Sequence, residues 1–273
     1  LLLTLMQFTH AGPHAGPAVQ STSEVDTLLT TVDNLRSTGQ YEQAFRELRN
    51  LDSRAAANPD VLWRLAHLRI EVAESSPGDS RQALEKAFRQ ALNDAELAVQ
   101  RGSHNSNAYA ARAMAAGKLS KVTSSTQEKI RLSRVMKESV DQAVTYDPRN
   151  DVAYYIRGRW HIELASLSFM ERTIARALYG GVPSASLDRA LADLRRAVEL
   201  QDRIVYRLEL ARLYAQMDQE QRAEEQITRI LQMPAKHPDD PRYIREAREL
   251  LDEIRPTSGS GSGNMNDRFG VSL

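Results

Sequence analysis

Arginine is the residue type whose positions in this sequence most suggest a binding site. Arg64, Arg159 and Arg212 lie in three separate helical segments, each next to an aromatic or small residue. A guanidinium group holds a carboxylate or a phosphate through two parallel N–H donors. The side chains expected beside them are aliphatic, methionine or tyrosine, which suits an anionic group on an apolar body. The predicted groove residues are Arg64, Leu68, Met114, Tyr155, Arg159, Leu208 and Arg212.

A simpler interpretation of the same arginines stays open. Most charged side chains on helix surfaces pair with a neighbouring carboxylate and remain hydrated. If the arginines do bind a ligand, a peptide and a lipid headgroup both fit the chemistry. An open groove would indicate a protein partner, whereas an enclosed apolar tunnel would indicate a lipid. We favour a partner protein segment, with phospholipid binding or transfer as the alternative.

Residues suited to catalysis or metal binding are sparse. Cysteine is absent, which excludes disulfides, thiolate metal sites and a cysteine nucleophile. The sequence contains no glycine-rich phosphate loop, no metal-binding helix motif and no context for a catalytic serine triad. His67 and His161 occupy the same turn of their units, but separate layers of a repeat array would keep them apart. We expect a protein that is not an enzyme and carries no cofactor or metal.

The charge of the chain indicates no general attraction to polyanions. Lysine and arginine number 36, aspartate and glutamate also number 36, and the formal net charge is zero. Nucleic-acid binding by long-range electrostatics requires a basic surplus, which is lacking here. Any anionic ligand must therefore be selected by local charge, and we expect no nucleic-acid partner.

A near repeat predicts the elements that position the arginines. The segment 98–109 returns 45 residues later as 143–154, with Ala-Val, Asn and Ala-Tyr in the same register, and Trp63 precedes Tyr109 by one unit. This period is typical of stacked helix pairs that bury their apolar faces against each other. Helical periodicity continues through 23–255, and no stretch alternates as a strand would. The predicted fold is all-α, a tetratricopeptide-like right-handed superhelix of helix pairs with a C-terminal capping helix.

The two ends of the sequence differ from the rest. An apolar run over 1–8 and small residues at Gly16 and Ala18 resemble the tail of a secretory signal peptide. We interpret 1–22 as a leader and expect a periplasmic or exported protein, with a cytoplasmic location as the alternative. A Gly/Ser-rich stretch predicts a flexible tail over 256–273. No segment of the sequence reaches the length of a membrane span.

Two sets of residues carry resemblances to known families. One set falls on the signature positions of tetratricopeptide repeats: Leu210, Ala211, Tyr214, Ala223, Ile227 and Ile230. The other set resembles segments of the regulator of microtubule dynamics family, over roughly 25–254 of the chain: Leu62 to Ala66, Gly158-Arg159-Trp160, Leu167 to Arg172 and Thr173 to Leu178.

The second resemblance implies a function as well as a fold. It implies a tetratricopeptide-like domain that binds partners. The family includes a phosphatase-interacting protein of endoplasmic reticulum–mitochondria contacts, in which this domain binds and transfers phospholipid. The signal-like leader of this sequence suggests a bacterial relative.

Overall fold

The computed structural model describes residues 22–51, 57–168 and 185–255, except Pro77 and Asp79, together with residues 170, 172–173 and 176–177. The predicted leader, apart from its last residue, and the predicted tail lie outside the described residues. The described residues form eleven α-helices and contain no β-strand. The helices are α1 (Thr22–Ser37), α2 (Tyr41–Arg49), α3 (Pro59–Ser75), α4 (Arg81–Arg101), α5 (Ser106–Val122), α6 (Thr126–Tyr146), α7 (Asp151–Ala165), α8 (Leu187–Leu200), α9 (Ile204–Gln216), α10 (Glu220–Gln232) and α11 (Asp240–Ile254).

Consecutive helices pack as pairs, and the pairs stack. The pairs are α1 with α2, α3 with α4, α5 with α6, α7 with α8 and α9 with α10, while α11 packs on both helices of the last pair. The first helices of successive pairs also contact each other, from α1 through α3, α5, α7 and α9 to α11. The predicted array of helix pairs with a capping helix is confirmed.

Small residues lie where helices approach each other most closely. Along α5, alanine occupies six buried positions, which brings the neighbouring helices near its backbone. Gly158 of α7 does the same against α8. The core is continuous within two large clusters, one centred on α3 to α7 and one on α8 to α11, and Tyr155 packs against both.

Helix caps explain the asparagine of the repeated segment. Asn58, Asn105 and Asn150 are the N-caps of α3, α5 and α7, and each side-chain oxygen accepts a hydrogen bond from a backbone N–H of the first turn. Asparagine is among the residues that cap helices best. The repeat therefore encodes the start of each first helix.

The same asparagines join neighbouring pairs. Nδ2 of Asn105 donates to Oδ1 of Asp60 over 3.1 Å, and Nδ2 of Asn150 donates to Oγ of Ser106 over 2.8 Å. Each bond runs from the start of one first helix to the start of the preceding one. One side chain thus begins a helix and fixes its position in the stack.

The first and last units of the array touch each other. The backbone of Gly39, in the α1–α2 turn, packs against the ring of Pro238, in the α10–α11 turn, so closely that a β-carbon on Gly39 would lie 2.9 Å from Cγ of Pro238. Gly39 has φ +79°, a conformation that favours glycine. Tyr41, at the start of α2, follows Gly39 by two residues and is half-buried. Burial and then the charges of Glu71 and Asp239 raise its pKa to about 12. We call this contact between the two ends the junction.

Candidate functional site

Ion pairs join the first helices of the array from one end to the other. Each pair connects a first helix to the next first helix or to the cap, and we call the series the ion-pair ladder. Its members are Arg36–Glu71 and Arg64–Asp33 between α1 and α3, Lys118–Glu74 between α3 and α5, Lys121–Glu163 between α5 and α7, Arg159–Glu209 between α7 and α9, and Arg212–Glu246 between α9 and α11.

Arg64 is fully engaged within the ladder. Its Nε and Nη2 donate to the two carboxylate oxygens of Asp33 over 2.8 and 2.7 Å, and its Nη1 donates to the carbonyl oxygen of Asp60. The guanidinium also stacks on the ring of Trp63, 4.1 Å from its centroid. This arrangement matches the simpler interpretation of that arginine, in which it pairs with a neighbouring carboxylate.

Arg159 is held more loosely than Arg64. Its closest carboxylate atoms are Oε1 of Glu163 at 3.6 Å and Oε2 of Glu209 at 3.8 Å, both beyond ordinary hydrogen-bond length. Its Nη1 lies 3.4 Å from the hydroxyl oxygen of Tyr155. One third of the Arg159 side chain is exposed. A guanidinium with long contacts and an accessible face can bind a further acceptor group.

Arg212 lies beside Arg159 because both contact Glu209. Its Nη1 donates to Oε1 of Glu209 over 3.0 Å, and its Nη2 donates to Oε2 of Glu246 over 2.8 Å. Burial raises the pKa of Glu246, but hydrogen bonds from Arg212 and Arg242 outweigh it and hold that pKa below its ordinary value. Glu246 is therefore ionised at neutral pH.

Tyr155 forms the apolar side of this cluster. Its ring stacks on Tyr206 with centroids 4.8 Å apart, which joins α7 to α9. Burial, and next the charge of Glu209, raise the pKa of Tyr155. The phenol therefore stays protonated and can act as a donor. We call Tyr155, Arg159, Glu163, Glu209 and Arg212 the Arg159 cluster.

The structure places the other predicted groove residues elsewhere. Leu68 and Leu208 have no exposed surface and belong to the core, which corrects their placement in a groove wall. Met114 is half-buried on the core around α5. Arg64 lies at the α1 end of the ladder, outside the Arg159 cluster. Of the predicted set, the structure brings together Tyr155, Arg159 and Arg212.

The carboxylates of the Arg159 cluster were not predicted from the sequence. Glu163 follows Arg159 by four residues and Glu209 precedes Arg212 by three, so helical spacing could have found both. Glu246, which accepts a bond from Arg212 but lies outside the defined cluster, comes from the capping helix, and no local pattern links it to Arg212.

Buried side-chain nitrogens without a hydrogen-bond partner occur outside the Arg159 cluster. His67 is 6% exposed, and neither of its ring nitrogens has a hydrogen-bond partner; Nε of Arg203 also has none. Burial lowers the pKa of His67 well below its usual value, and the charges of Arg36, Arg64 and Arg203 lower it further. A buried polar group without a partner costs about 1–3 kcal/mol.

His67 and His161, the histidines at corresponding positions of two units, belong to no group of metal-ligating side chains within the described residues. Across the residues that the structure describes, no group of three or more potential protein ligands could hold a metal ion. His161 instead lies 4.0 Å from Asp193, which is bound by Arg157. In the same part of the chain, no helix is long and apolar enough to cross a membrane.

Comparison with known sequences identifies relatives across nearly the whole described region. The family model described as regulator of microtubule dynamics protein 1-3 matches residues 28–255. Regulator of microtubule dynamics protein 3 of Xenopus laevis is 29% identical over 65% of this chain and 38% of its own length. Protein 1 of Caenorhabditis elegans is 25% identical over 81% of this chain and 96% of its own length. Protein 2 of Homo sapiens is 25% identical over 85% of this chain and 56% of its own length.

The relatives differ in how much of them this chain spans. It spans little more than a third of the Xenopus protein and just over half of the human one. Among solved structures, a thermophilic TPR protein of Thermus thermophilus superposes with a TM-score of 0.62 at 19% identity, covering 83% of this chain and 98% of its own. That likeness shows the tetratricopeptide-like fold.

Proposed function

This chain belongs to the regulator of microtubule dynamics family, and on that basis we propose that it is a non-catalytic scaffold that binds a partner protein segment at the Arg159 cluster. The tetratricopeptide-like fold supports a role in protein interaction. The segment would carry an anionic group on an apolar body, with the anion on Arg159 and Arg212 and the apolar part against Tyr155.

The loose contacts of Arg159 carry this proposal. Its two carboxylate neighbours lie at 3.6 and 3.8 Å, so an incoming carboxylate can approach the guanidinium without displacing a strong hydrogen bond. Arg212 adds a second guanidinium whose side chain is 40% exposed. Arg64 is 15% exposed and already forms two short bonds to Asp33, so it contributes less to binding.

Phospholipid binding is the alternative to a peptide ligand. An acyl chain needs a continuous apolar lining. Leu68 and Leu208, the aliphatic residues predicted for the groove, have no exposed surface. Tyr155 and the charged members of the Arg159 cluster favour a peptide over an acyl chain.

A peptide array with a matched set of variants tests the proposal. The purified full chain is exposed to immobilised peptides that combine acidic and apolar residues, and to the same peptides with each acidic residue amidated. We expect binding that depends on the carboxylates and falls about a hundredfold in Arg159→Gln/Arg212→Gln, since each of the two lost charge-assisted bonds weakens binding by about tenfold. Arg248→Gln, an exposed arginine on α11, is the control and should bind as the parent does.

Two results would contradict the proposal. One is a folded double variant that keeps the parent's affinity for every peptide. The other is native mass spectrometry showing co-purified phospholipid in a protein that binds no peptide. The relatives are named as regulators of microtubule dynamics, so microtubules are a further probe. Co-sedimentation with microtubules is measured for the parent and for the same variants.

A further inference from the structure

The charged side chains around Arg159 form one balanced network. Arg159 lies between Glu163 and Glu209, and each of these carboxylates has a second cation of its own. Lys121 lies 3.4 Å from Glu163, and Arg212 donates to Glu209 over 3.0 Å. Followed to its last ion pair, the network joins four cations to four carboxylates: Lys121, Arg159, Arg212 and Arg242 with Glu163, Glu209, Asp239 and Glu246. The network therefore has no formal net charge with which to attract a multiply charged anion.

Glu209 is the more deeply buried of the two carboxylates in the Arg159 cluster. Its side chain is 14% exposed, against 33% for Glu163. Its Oε1 accepts from Nη1 of Arg212 over 3.0 Å, and its Oε2 lies 3.8 Å from Nε of Arg159. A carboxylate therefore lies between the two guanidinium groups that would hold an anionic ligand.

Arg159 can bind a ligand without leaving either carboxylate unpaired. Glu163 keeps its contact with Lys121, and Glu209 keeps its hydrogen bond from Arg212. Breaking a buried ion pair is costly when a charge is left without a partner, and that cost is avoided here. Arg159 is therefore the main contact for an incoming anion, and both carboxylates stay in place when the anion binds.

The carboxylates that stay in place limit the charge of the ligand. A ligand carboxylate adds a single negative charge to the balanced network. A phosphate monoester adds about two at pH 7, and beside aspartate or glutamate it is opposed by like-charge repulsion. Phosphopeptide-binding sites use clusters of arginines to hold the phosphate. The charges around Arg159 therefore suit an acidic segment better than a phosphorylated one.

Tyr155 adds a donor and apolar surface at the same place. Its hydroxyl oxygen lies 3.4 Å from Nη1 of Arg159, and its ring stacks on Tyr206. A protonated phenol and a guanidinium side by side can donate to the two oxygens of one carboxylate. Resting on the proposed function, we propose that the Arg159 cluster binds a segment with a single carboxylate beside an apolar side chain, and that Glu209 makes the site reject phosphate.

A peptide series that differs at one position tests this selectivity. Each labelled peptide has one variable residue between two leucines, in a serine-glycine background with both ends blocked. The variable residue is glutamate, glutamine, phosphoserine or serine O-sulfate, and binding to the full chain is measured by fluorescence anisotropy. We expect the glutamine and phosphoserine peptides to bind about tenfold more weakly than the glutamate peptide. The sulfate ester has the shape of the phosphate but a single negative charge, so it should bind within about threefold of glutamate.

Glu209→Gln should change the selectivity itself. Removing this negative charge should strengthen binding of the glutamate peptide about threefold and of the phosphoserine peptide about tenfold, because a doubly charged group feels the change twice. A merely structural role would change both affinities by the same factor. Glu163→Gln, at a more exposed position, should shift the same ratio less, and it keeps the test decisive if Glu209→Gln does not fold. Glu42→Gln, exposed on α2, is the control and should bind as the parent does.

One further peptide identifies the source of the carboxylate. It has glutamine at the variable position and a free C-terminal carboxylate. Tighter binding of this peptide than of the blocked glutamate peptide supports a chain terminus as the ligand, and the reverse order supports an acidic side chain. Either result supports a carboxylate ligand.

This proposal and the proposed function fail in different ways. If the parent binds no peptide of this series or of the array above, the proposed function is overturned and the selectivity with it. If the glutamate peptide binds and the phosphoserine peptide binds as tightly, only the selectivity is overturned. Equally weak binding of the phosphate and sulfate esters would also overturn it, because shape and not charge would then decide. An unchanged ratio of the two affinities in both Glu209→Gln and Glu163→Gln would overturn the role of Glu209.

Discussion

Gly158 of α7 lies directly against Leu194 of α8. A β-carbon on Gly158 would lie 2.8 Å from Cγ and 2.9 Å from Cδ2 of Leu194, and 3.3 Å from the carbonyl oxygen of Ala190. Leu194 has no exposed surface, so it cannot move aside without disturbing the core. The absence of a side chain at Gly158 therefore sets the distance between the two helices of the fourth pair.

The first prediction is that Gly158→Leu destabilises the array. Forcing a side chain between α7 and α8 should lower the free energy of unfolding by about 1–3 kcal/mol or more, measured by urea denaturation. Gly117→Ala and Gly158→Ala form a matched pair. At Gly117 the new methyl meets the flexible end of Met136, so there alanine should be neutral or stabilising. Identical effects of alanine at both glycines would show that the helix contact is misassigned.

The second prediction concerns Asn150, which caps α7 and bonds to the preceding pair. Asn150→Ala removes both functions and should cost about 2 kcal/mol of unfolding free energy. Asn150→Ser keeps a capping oxygen but loses the donor to Ser106, so it should cost about 1 kcal/mol. Thermal and urea unfolding of the two variants measure the difference. If serine is no better than alanine, the cap contributes nothing at this position.

The third prediction is a loss of stability at mildly acidic pH. Burial lowers the pKa of His67, and also those of His161 and His237. Above about pH 6.5 these histidines are neutral in both folded and unfolded chains. Below that pH the unfolded chain takes up protons that the folded chain does not, so the free energy of unfolding falls as the pH falls.

Replacing His67 isolates its share of this effect. Between pH 5 and 6, His67→Leu should make the pH dependence of the free energy of unfolding shallower, by up to about 1.4 kcal/mol per pH unit. His104→Ala, at an exposed position in the α4–α5 turn, is the control for loss of a histidine outside the core. A slope in His67→Leu equal to the parent's would mean that His67 is protonated in the folded chain.

The fourth prediction ranks two ion pairs. Arg157 donates to both oxygens of Asp193 over 2.9 and 2.7 Å, and the Asp193 side chain is 10% exposed. Arg157→Met leaves that carboxylate buried and should cost about 3 kcal/mol of unfolding free energy. Lys121 lies 3.4 Å from Glu163, with side chains 50% and 33% exposed, so Lys121→Met should cost less than about 1 kcal/mol. Equal losses in urea unfolding would contradict the ranking.

The helix pairs could be predicted from sequence because their signal is local. The repeated asparagine marks helix starts, and Gly158 and Ala223 mark helix contacts, all within single units. It was harder to predict which face of each first helix is exposed to solvent. Leu208 belongs to a helix that buries eight of its thirteen residues, and such a helix has too little periodicity to show which side faces solvent.

The partners of the arginines could be predicted only in part. Glu163 lies one helical turn from Arg159 and can be found by spacing. Glu209 and Arg159 belong to successive pairs, and their approach depends on how those pairs stack. The junction has no local signal, because Gly39 and Pro238 come together only after every intervening pair has been placed.

The junction also changes how the array comes apart. In an open array the terminal units have one neighbour each, so they fray independently and before the middle. Here the α1–α2 turn rests on the α10–α11 turn, and each end supplies part of the other's packing. Fraying at one terminus therefore removes a neighbour from the opposite terminus. Slow amide exchange in α1 and α11 would accordingly report one shared opening, in which the first and last helix pairs of the described residues separate together.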